Sequence, residues 1–235
     1  MTNIQLSISD ALSNGWATWK KHCPLSTLMF FVISYIETAI IPMYDSFDSG
    51  HDRRHVLAVM EESLRLSSFY PVNINMVYAS AAYHDTGLGA GRRLHHLESG
   101  RIVRHDINLP GWFTRDQIET IAQAAEDHRA SSDGEPRSIY GKIVAESDRQ
   151  IIPETVILRA VQYGAHNFPH RDREFHWQRF CDHMDEKYAK GGYLKLYIPE
   201  SRNAEGLARL REIISDRALL RDCFDSAYAV AFKNK

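Results

Sequence analysis

The sequence predicts an all-α fold: a helical bundle with a helical C-terminal extension and at most one short β element. Apolar residues recur every three to four positions along most of the chain, which is typical of amphipathic helices. Helix-capping residues precede several of these segments. Only YLKLY, at 193–197, alternates like a strand, and it is too short to build a sheet. At 235 residues with 44% hydrophobic content, the chain can bury the core of one large domain.

The N-terminal segment, 1–34, is predicted to be helical and to pack on the bundle. A mild helical pattern covers 6–20, and a second helix is expected over 26–41, where Pro42 stops it. The most apolar run, 25–43, contains Glu37 and is broken by the same proline, so a buried helix is expected rather than a membrane span. The first 16 residues lack the basic and apolar regions of a secretory signal.

The main bundle is predicted over 35–165, and each of its helices has a recognisable boundary. A loop rich in Asp, Ser and Gly over 43–52 precedes a helix that begins at Arg53. Asn73 is expected to cap the next helix, which ends before the glycine turn at 87–91. Thr114 and Gln117 form a predicted capping box. The helices are expected over 53–64, 73–85, 94–103, 114–128, 138–148 and 154–163, the last with Pro153 at its start.

The C-terminal extension, 166–235, is predicted to be a helical, lid-like part of the same domain. Helices are expected over 171–188, 204–215 and 217–232, with a Gly-Gly turn at 191–192. His166, His170 and His176 are interpreted as surface or lid residues, because Pro169 interrupts the spacing that a separate metal site would need.

Charge and cysteine content exclude several classes of partner. The 28 basic and 30 acidic residues give a formal net charge of −2, so neither nucleic acid nor an anionic membrane is expected as a partner. The three cysteines, Cys23, Cys181 and Cys223, are far apart and form neither a disulfide framework nor a CxxC zinc site. A reducing cytoplasm is therefore the expected compartment. The sequence leaves open whether the chain forms a homodimer.

The residues that could carry chemistry are histidines and aspartates at helix ends. His55 begins one predicted helix, His84 and Asp85 end another, and His128 and Asp148 each end a further one. Imidazole nitrogen and carboxylate oxygen bind divalent metals. Neighbouring residues such as His84 and Asp85 can share one ion only where a helix ends, because their side chains diverge by about 100° within a helix. Taken singly, a histidine at a helix end is usually a cap or a surface residue.

In this order, the residues resemble the HD-domain superfamily of metal-dependent phosphohydrolases. The order is His55, then His84-Asp85 in AAYHDTG, then Asp148 in IVAESDR, and the resemblance covers about 35–165. HHLESGRIV (95–103) and DHRASSDGEPRSIYGKIVAESDR (127–149) are also similar to family segments. The resemblance implies a helical bundle in which His55, His84, Asp85 and Asp148 hold one divalent ion. It does not distinguish among Mn, Fe, Co, Ni, Zn and Mg.

The resemblance also raises a second ion, which some family members hold. The matching residues here are His95, or its neighbour His96, together with His128. They would either bind that second ion, with Asp85 bridging, or only form hydrogen bonds to the ligands of the first. Both readings stay open at this stage.

A phosphohydrolase acting through a metal-activated water is the expected function, with a nucleotide as the expected substrate. Asp85 or Asp148 would orient the water or accept its proton. Six arginines flank the ligands, and the substrate-binding candidates among them are Arg129, Arg54, Arg92 and Arg149. Most of the six are otherwise expected to be solvated or paired with acidic neighbours. Asp52 is interpreted as a helix cap.

The sequence lacks the signatures of two HD subfamilies and leaves two other functions open. Thr86-Gly87 after the HD pair lacks the acidic residues of guanosine tetraphosphate hydrolases, and the chain has no GYP signature of cyclic-dinucleotide phosphodiesterases. The alternatives are a di-iron oxygenase of HD type, which would need the second set of ligands, and a catalytically silent module that senses a nucleotide.

Overall fold

The computed structural model describes residues 27–48, 50–131 and 134–232, and the described part is all-α. The helix predicted over 6–20, and with it most of the segment 1–34, lies outside these residues. The described residues form ten α-helices, which we number in chain order: α1 Thr27–Tyr35, α2 Arg53–Ser67, α3 Ile74–Tyr83, α4 His95–His105, α5 Arg115–Asp127, α6 Ile139–Arg149, α7 Pro153–Asn167, α8 Arg173–Lys187, α9 Asn203–Ser215 and α10 Arg217–Phe232.

Side-chain caps start three helices of the main bundle at the residues that the sequence predicts. The carboxylate of Asp52 accepts hydrogen bonds from the backbone amides of Arg54 and His55, so Asp52 is the cap of α2. The side chain of Asn73 caps α3 in the same way. Thr114 opens α5 with the complete capping box predicted for it. These local signals fix where the helices that carry the candidate ligands begin.

The helix predicted over 26–41 is shorter than expected. The α-helix ends at Tyr35, a π-helix follows over Ile36–Ile40, and a 3₁₀-helix covers Ile41–Ser46. Pro42 lies in the first turn of that 3₁₀-helix, where its missing N–H costs no hydrogen bond. The glycine turn predicted at 87–91 is likewise a 3₁₀-helix, Thr86–Ala90, which ends at Gly91 with φ of +94°.

The described residues contain no strand, so the short β element that the sequence allowed at 193–197 does not form. The backbone amides of Tyr193 and Leu194 donate to the carbonyl oxygens of Glu186 and Lys187 at the end of α8. The amide of Tyr197 donates to the carboxylate of Glu146 at 2.8 Å. Because these amides are satisfied by a helix end and a buried carboxylate, no neighbouring strand is needed to pair with them.

Two large apolar clusters and a third, small one fill the interior of the described residues. The first joins α1 to α6 and their connecting 3₁₀-helices, from Val32 to Val144. The second joins α7 to α10, from Ile151 to Ala227. The predicted boundary at residue 165 falls within α7, and the division of the chain into segments stays a prediction. Of the helices in the described part of the chain, none has the length and apolar content needed to cross a membrane.

Candidate metal centre

Three helix ends bring the first group of candidate ligands together. His55 lies in the first turn of α2, His84 directly follows α3, and Asp148 lies in the last turn of α6. The Nε2 atom of His55 is 3.3 Å from Nε2 of His84 and 3.1 Å from Oδ1 of Asp148. One ligand atom from each residue lies within 4.8 Å of the others, so this group could hold an ion.

A second group lies beside the first and consists of Asp85, His95 and His128. The Nε2 atoms of both histidines are 3.3 Å from Oδ1 of Asp85 and 3.2 Å from each other. The other carboxylate oxygen, Oδ2, is 3.2 Å from Nε2 of His84 and 3.7 Å from Nε2 of His55. Asp85 therefore presents one oxygen to each group, and the two groups together make a single candidate metal centre.

Backbone carbonyls orient three of the imidazoles. The Nδ1 atoms of His84, His95 and His128 lie 2.6–2.7 Å from the carbonyl oxygen three residues earlier in each case. In a neutral ring, Nδ1–H donates to that carbonyl and Nε2 is left as a bare acceptor. The bare Nε2 atoms of His95 and His128 then face each other at 3.2 Å, and Asp85 adds a carboxylate. Acceptors this close repel one another unless a cation lies between them, so the donor set fits a divalent metal.

Burial and charge shift the pKa values of several candidate ligands, and for Asp85, Asp148 and His95 they favour the forms that bind metal. Burial raises the pKa of the Asp85 carboxyl, but the facing His84 and His128 outweigh it and hold that pKa well below its usual range. Burial acts in the same sense on Asp148, and the nearby His55 lowers its pKa by more. Burial and the neighbouring His128 lower the pKa of His95 to about 4. At neutral pH the carboxylates are ionised and His95 is neutral, the forms in which both bind metal. Burial would lower the pKa of His128, but the facing Asp85 outweighs it and raises that pKa, so a metal bound there would have to displace a proton from that ring.

The end of α3 allows adjacent residues to face one site. His84 keeps helical backbone angles, whereas Asp85 leaves the helix with φ of −112° and ψ of 7°. Gly87 then lets the following 3₁₀-helix approach α4, because a Cβ atom there would lie 2.2 Å from the carbonyl oxygen of His95. The sequence predicted this helix end, and the close approach explains why a glycine stands two residues after Asp85.

The structure separates the two neighbouring histidines that the sequence left open. His95 points its Nε2 into the second group, whereas His96 belongs to neither group. The Nδ1 atom of His96 is buried without a hydrogen-bond partner. Burial and the charge of Arg129 lower its pKa. In the described part of the chain, these two groups are the sets of His, Cys, Asp and Glu placed to hold a metal, and neither includes a histidine of the extension.

The four arginines predicted to bind substrate have different surroundings. Arg54 pairs with its neighbour Asp52, and Arg92 pairs with Asp48; both guanidinium groups are exposed. Arg129 donates from Nη1 to a backbone carbonyl at 2.8 Å. Arg149 lies over the ring of Tyr197, and its buried Nε and Nη1 atoms have no hydrogen-bond partner. Contact of any of the four with a substrate stays a prediction.

Two tyrosines near the centre were missed by reasoning from the sequence. The fully buried Tyr44 donates a hydrogen bond to the carbonyl oxygen of Ala82 and accepts one from the amide of Asp85. Burial and the charge of Asp148 raise the pKa of Tyr188, in the C-terminal extension, to about 12. Neither had a sequence signal, because Tyr44 lies in a predicted loop and Tyr188 is 40 residues from Asp148.

The fold and the two His/Asp groups place this protein in the class of all-α proteins with a candidate centre for divalent metals. Comparison with known families gives the finer assignment, since residues 53–150 match the family model of the HD domain. This match confirms, over these residues, the resemblance to the HD-domain superfamily found in the sequence.

Two further comparisons complete the picture. The chain is 20% identical to a solved structure described as a predicted HD superfamily hydrolase from an uncultured Thermotogales bacterium, with a TM-score of 0.46. That likeness covers 65% of this chain and 87% of the other. A search of curated proteins found no match.

Proposed function

We propose that this protein is a two-metal phosphohydrolase whose substrate is a small phosphoester, with a nucleotide as the expected class. The placement of Asp85 carries the proposal, because its two carboxylate oxygens face different sets of imidazoles. A bridging carboxylate is the arrangement that holds two divalent ions at the short separation used in phosphoester hydrolysis.

The six ligand residues divide between the two ions. His55, His84 and Asp148 would hold the first ion, and His95 and His128 the second, with Asp85 shared. Divalent ions bound here would lower the pKa of a bound water and polarise a phosphoryl oxygen. The side chain of Asp148 remains 28% exposed, whereas that of Asp85 is 3% exposed. We therefore assign to Asp148 the orientation of the attacking water and to Asp85 the placement of the ions.

Arg129 is the favoured contact for the substrate phosphate. It directly follows His128, a member of the second group, and its charge helps to lower the pKa of His96. Its Nη1 atom donates to the backbone carbonyl of Arg93. The remaining donors of the planar guanidinium group could bind a phosphate. Arg54 and Arg92 are held in exposed ion pairs, which are weak in water and could be exchanged for a substrate.

Phosphate release from purified protein tests this function. The assay loads the chain with Mn, Co, Ni, Zn, Mg or Fe(II) and offers nucleotides and simple phosphoesters. We expect release with at least one metal, loss of release in Asp85→Ala, and normal release in Asp182→Ala, which removes an exposed carboxylate on α8. A protein that binds metal but releases phosphate from none of these compounds would refute the proposal.

A di-iron oxygenase is the second candidate, and the placement of His95 and His128 favours it over a one-metal enzyme. Two irons per chain together with substrate-dependent oxygen consumption would select the oxygenase, whereas phosphate release without oxygen would select the hydrolase. A nucleotide that raises the melting temperature but undergoes neither reaction would indicate the silent sensing module.

A further inference from the structure

The hydroxyl of Tyr44 lies at the point where α3 ends and the paired ligands begin. It donates to the carbonyl oxygen of Ala82 at 2.9 Å and accepts from the backbone amide of Asp85 at 3.2 Å. These two groups belong to residues on either side of His84. One buried hydroxyl therefore holds the backbone on both sides of the first ligand of the pair.

The tyrosine itself is held rigidly. Its side chain is fully buried in the 3₁₀-helix Ile41–Ser46. Its ring centroid lies 5.3 Å from that of Phe47, in an edge-on contact, and 6.2 Å from that of His84. A side chain packed in this way transmits its own position to the backbone that it binds.

The consequences concern Asp85 most of all. Its backbone leaves the α-helical conformation, with φ of −112° and ψ of 7°, and its amide donates to the hydroxyl of Tyr44. The two oxygens have to face separate groups of imidazoles, and a small rotation of this backbone would move both. Tyr44 is not among the six candidate ligands, and its hydroxyl contacts the backbone of Ala82 and Asp85.

We propose that Tyr44 is a positioning residue, which fixes the backbone at His84 and Asp85 through its hydroxyl and so sets the affinity of the whole metal centre. This inference rests on the proposed function in one respect, since it requires that the chain binds divalent metal. It goes further by assigning metal affinity to a side chain outside the ligand set.

Tyr44→Phe tests the proposal, with Tyr83→Phe as the matched control. Both tyrosines are fully buried in the same apolar cluster, and the hydroxyl of Tyr83 instead donates to Asp106 at 2.5 Å. Titration with Mn²⁺ by calorimetry should show a dissociation constant raised about tenfold or more in Tyr44→Phe. In Tyr83→Phe we expect a change within about twofold, as for a buried hydroxyl remote from the ligands.

A second readout separates ligand geometry from stability. The visible spectrum of the Co²⁺-loaded protein reports coordination geometry, and at saturating Co²⁺ it should change in Tyr44→Phe but not in Tyr83→Phe. Unfolding in urea with EDTA gives the loss of stability that each variant suffers without metal. Equal effects of the two variants on Mn²⁺ affinity, or a Tyr44→Phe chain that is unfolded in EDTA while Tyr83→Phe is folded, would overturn the proposal. Wild-type protein that binds no metal would instead refute the proposed function.

Discussion

Replacing Asp85 by Asn should abolish the stabilisation that both metal ions give, whereas replacing His128 by Gln should abolish only one share of it. The reason is geometric, since Oδ1 of Asp85 faces His95 and His128 while Oδ2 faces His55 and His84. An amide keeps the shape of the carboxylate but offers one oxygen and no charge, so one ion would lose its shared oxygen and both would lose the negative charge that holds them. His128, in contrast, belongs to the second group alone.

The size of the effect follows from linkage. A ligand that binds only the folded protein, at a free concentration of about 100 times its dissociation constant, stabilises the fold by about 2.7 kcal/mol. Two independent ions would then add about 5 kcal/mol to the free energy of unfolding of the wild-type protein. The expected gain is about 2.7 kcal/mol for His128→Gln and close to zero for Asp85→Asn.

The assay is urea unfolding followed by circular dichroism, with each protein measured in Mn²⁺ and again in EDTA. Comparing each variant with its own EDTA value removes the direct effect of the substitution on the fold. Metal analysis after gel filtration should give two ions per chain for the wild type, one for His128→Gln and none for Asp85→Asn. If Asp85→Asn kept one ion with full stabilisation, or if His128→Gln lost both, the bridging role inferred from the distances would be refuted.

Three further predictions concern substrate, pH and the C-terminal extension. Arg129→Ala should lower kcat/KM for a phosphoester about tenfold or more and leave the metal content of the purified protein unchanged; loss of metal would contradict its role. Burial and Lys187 lower the pKa of His183 in the folded protein from 6.5 to about 4. Because the unfolded chain then binds the proton more tightly than the folded protein, the free energy of unfolding falls as the pH drops from about 6.5 toward 4, by up to about 3 kcal/mol. His183→Gln should therefore lose less stability than wild type between about pH 7 and pH 4.5 in urea unfolding. Asn203→Ala should destabilise the fold by about 2–4 kcal/mol in the same assay, because Nδ2 donates to the backbone and side chain of the buried Glu146, whereas Asn167→Ala, which loses one exposed hydrogen bond, should change it by less than about 0.5 kcal/mol.

The helix boundaries and the order of the candidate ligands could be predicted from the sequence because both depend on local signals. Asn73 and Thr114 cap helices through hydrogen bonds to residues two or three positions later, so the signal and its effect lie in the same short segment. The pairing of His84 with Asp85 marks a helix end for the same reason. Such interactions leave a pattern that can be read without knowing the fold.

Interactions between distant segments could not be predicted. The choice of His95 over His96 depends on how α4 packs against its neighbours, and both residues look alike in the sequence. Tyr44 contacts backbone groups 38 and 41 residues away. The alternating YLKLY pattern predicts a strand, but whether a strand forms depends on a partner elsewhere in the chain. Here the end of α8 and a carboxylate take the backbone hydrogen bonds instead.

Helix α6 explains why the extension matters to the candidate centre. The fully buried carboxylate of Glu146 accepts hydrogen bonds from the backbone amide of Tyr197 and the hydroxyl of Ser201. Ile198, in the same segment, packs into a small cluster with α2, α3 and α6. Asp148 lies only two residues after Glu146, near the end of the same helix. The extension therefore anchors the helix that presents the most exposed candidate ligand, so the position of Asp148 depends on residues outside the segment that matches the HD domain.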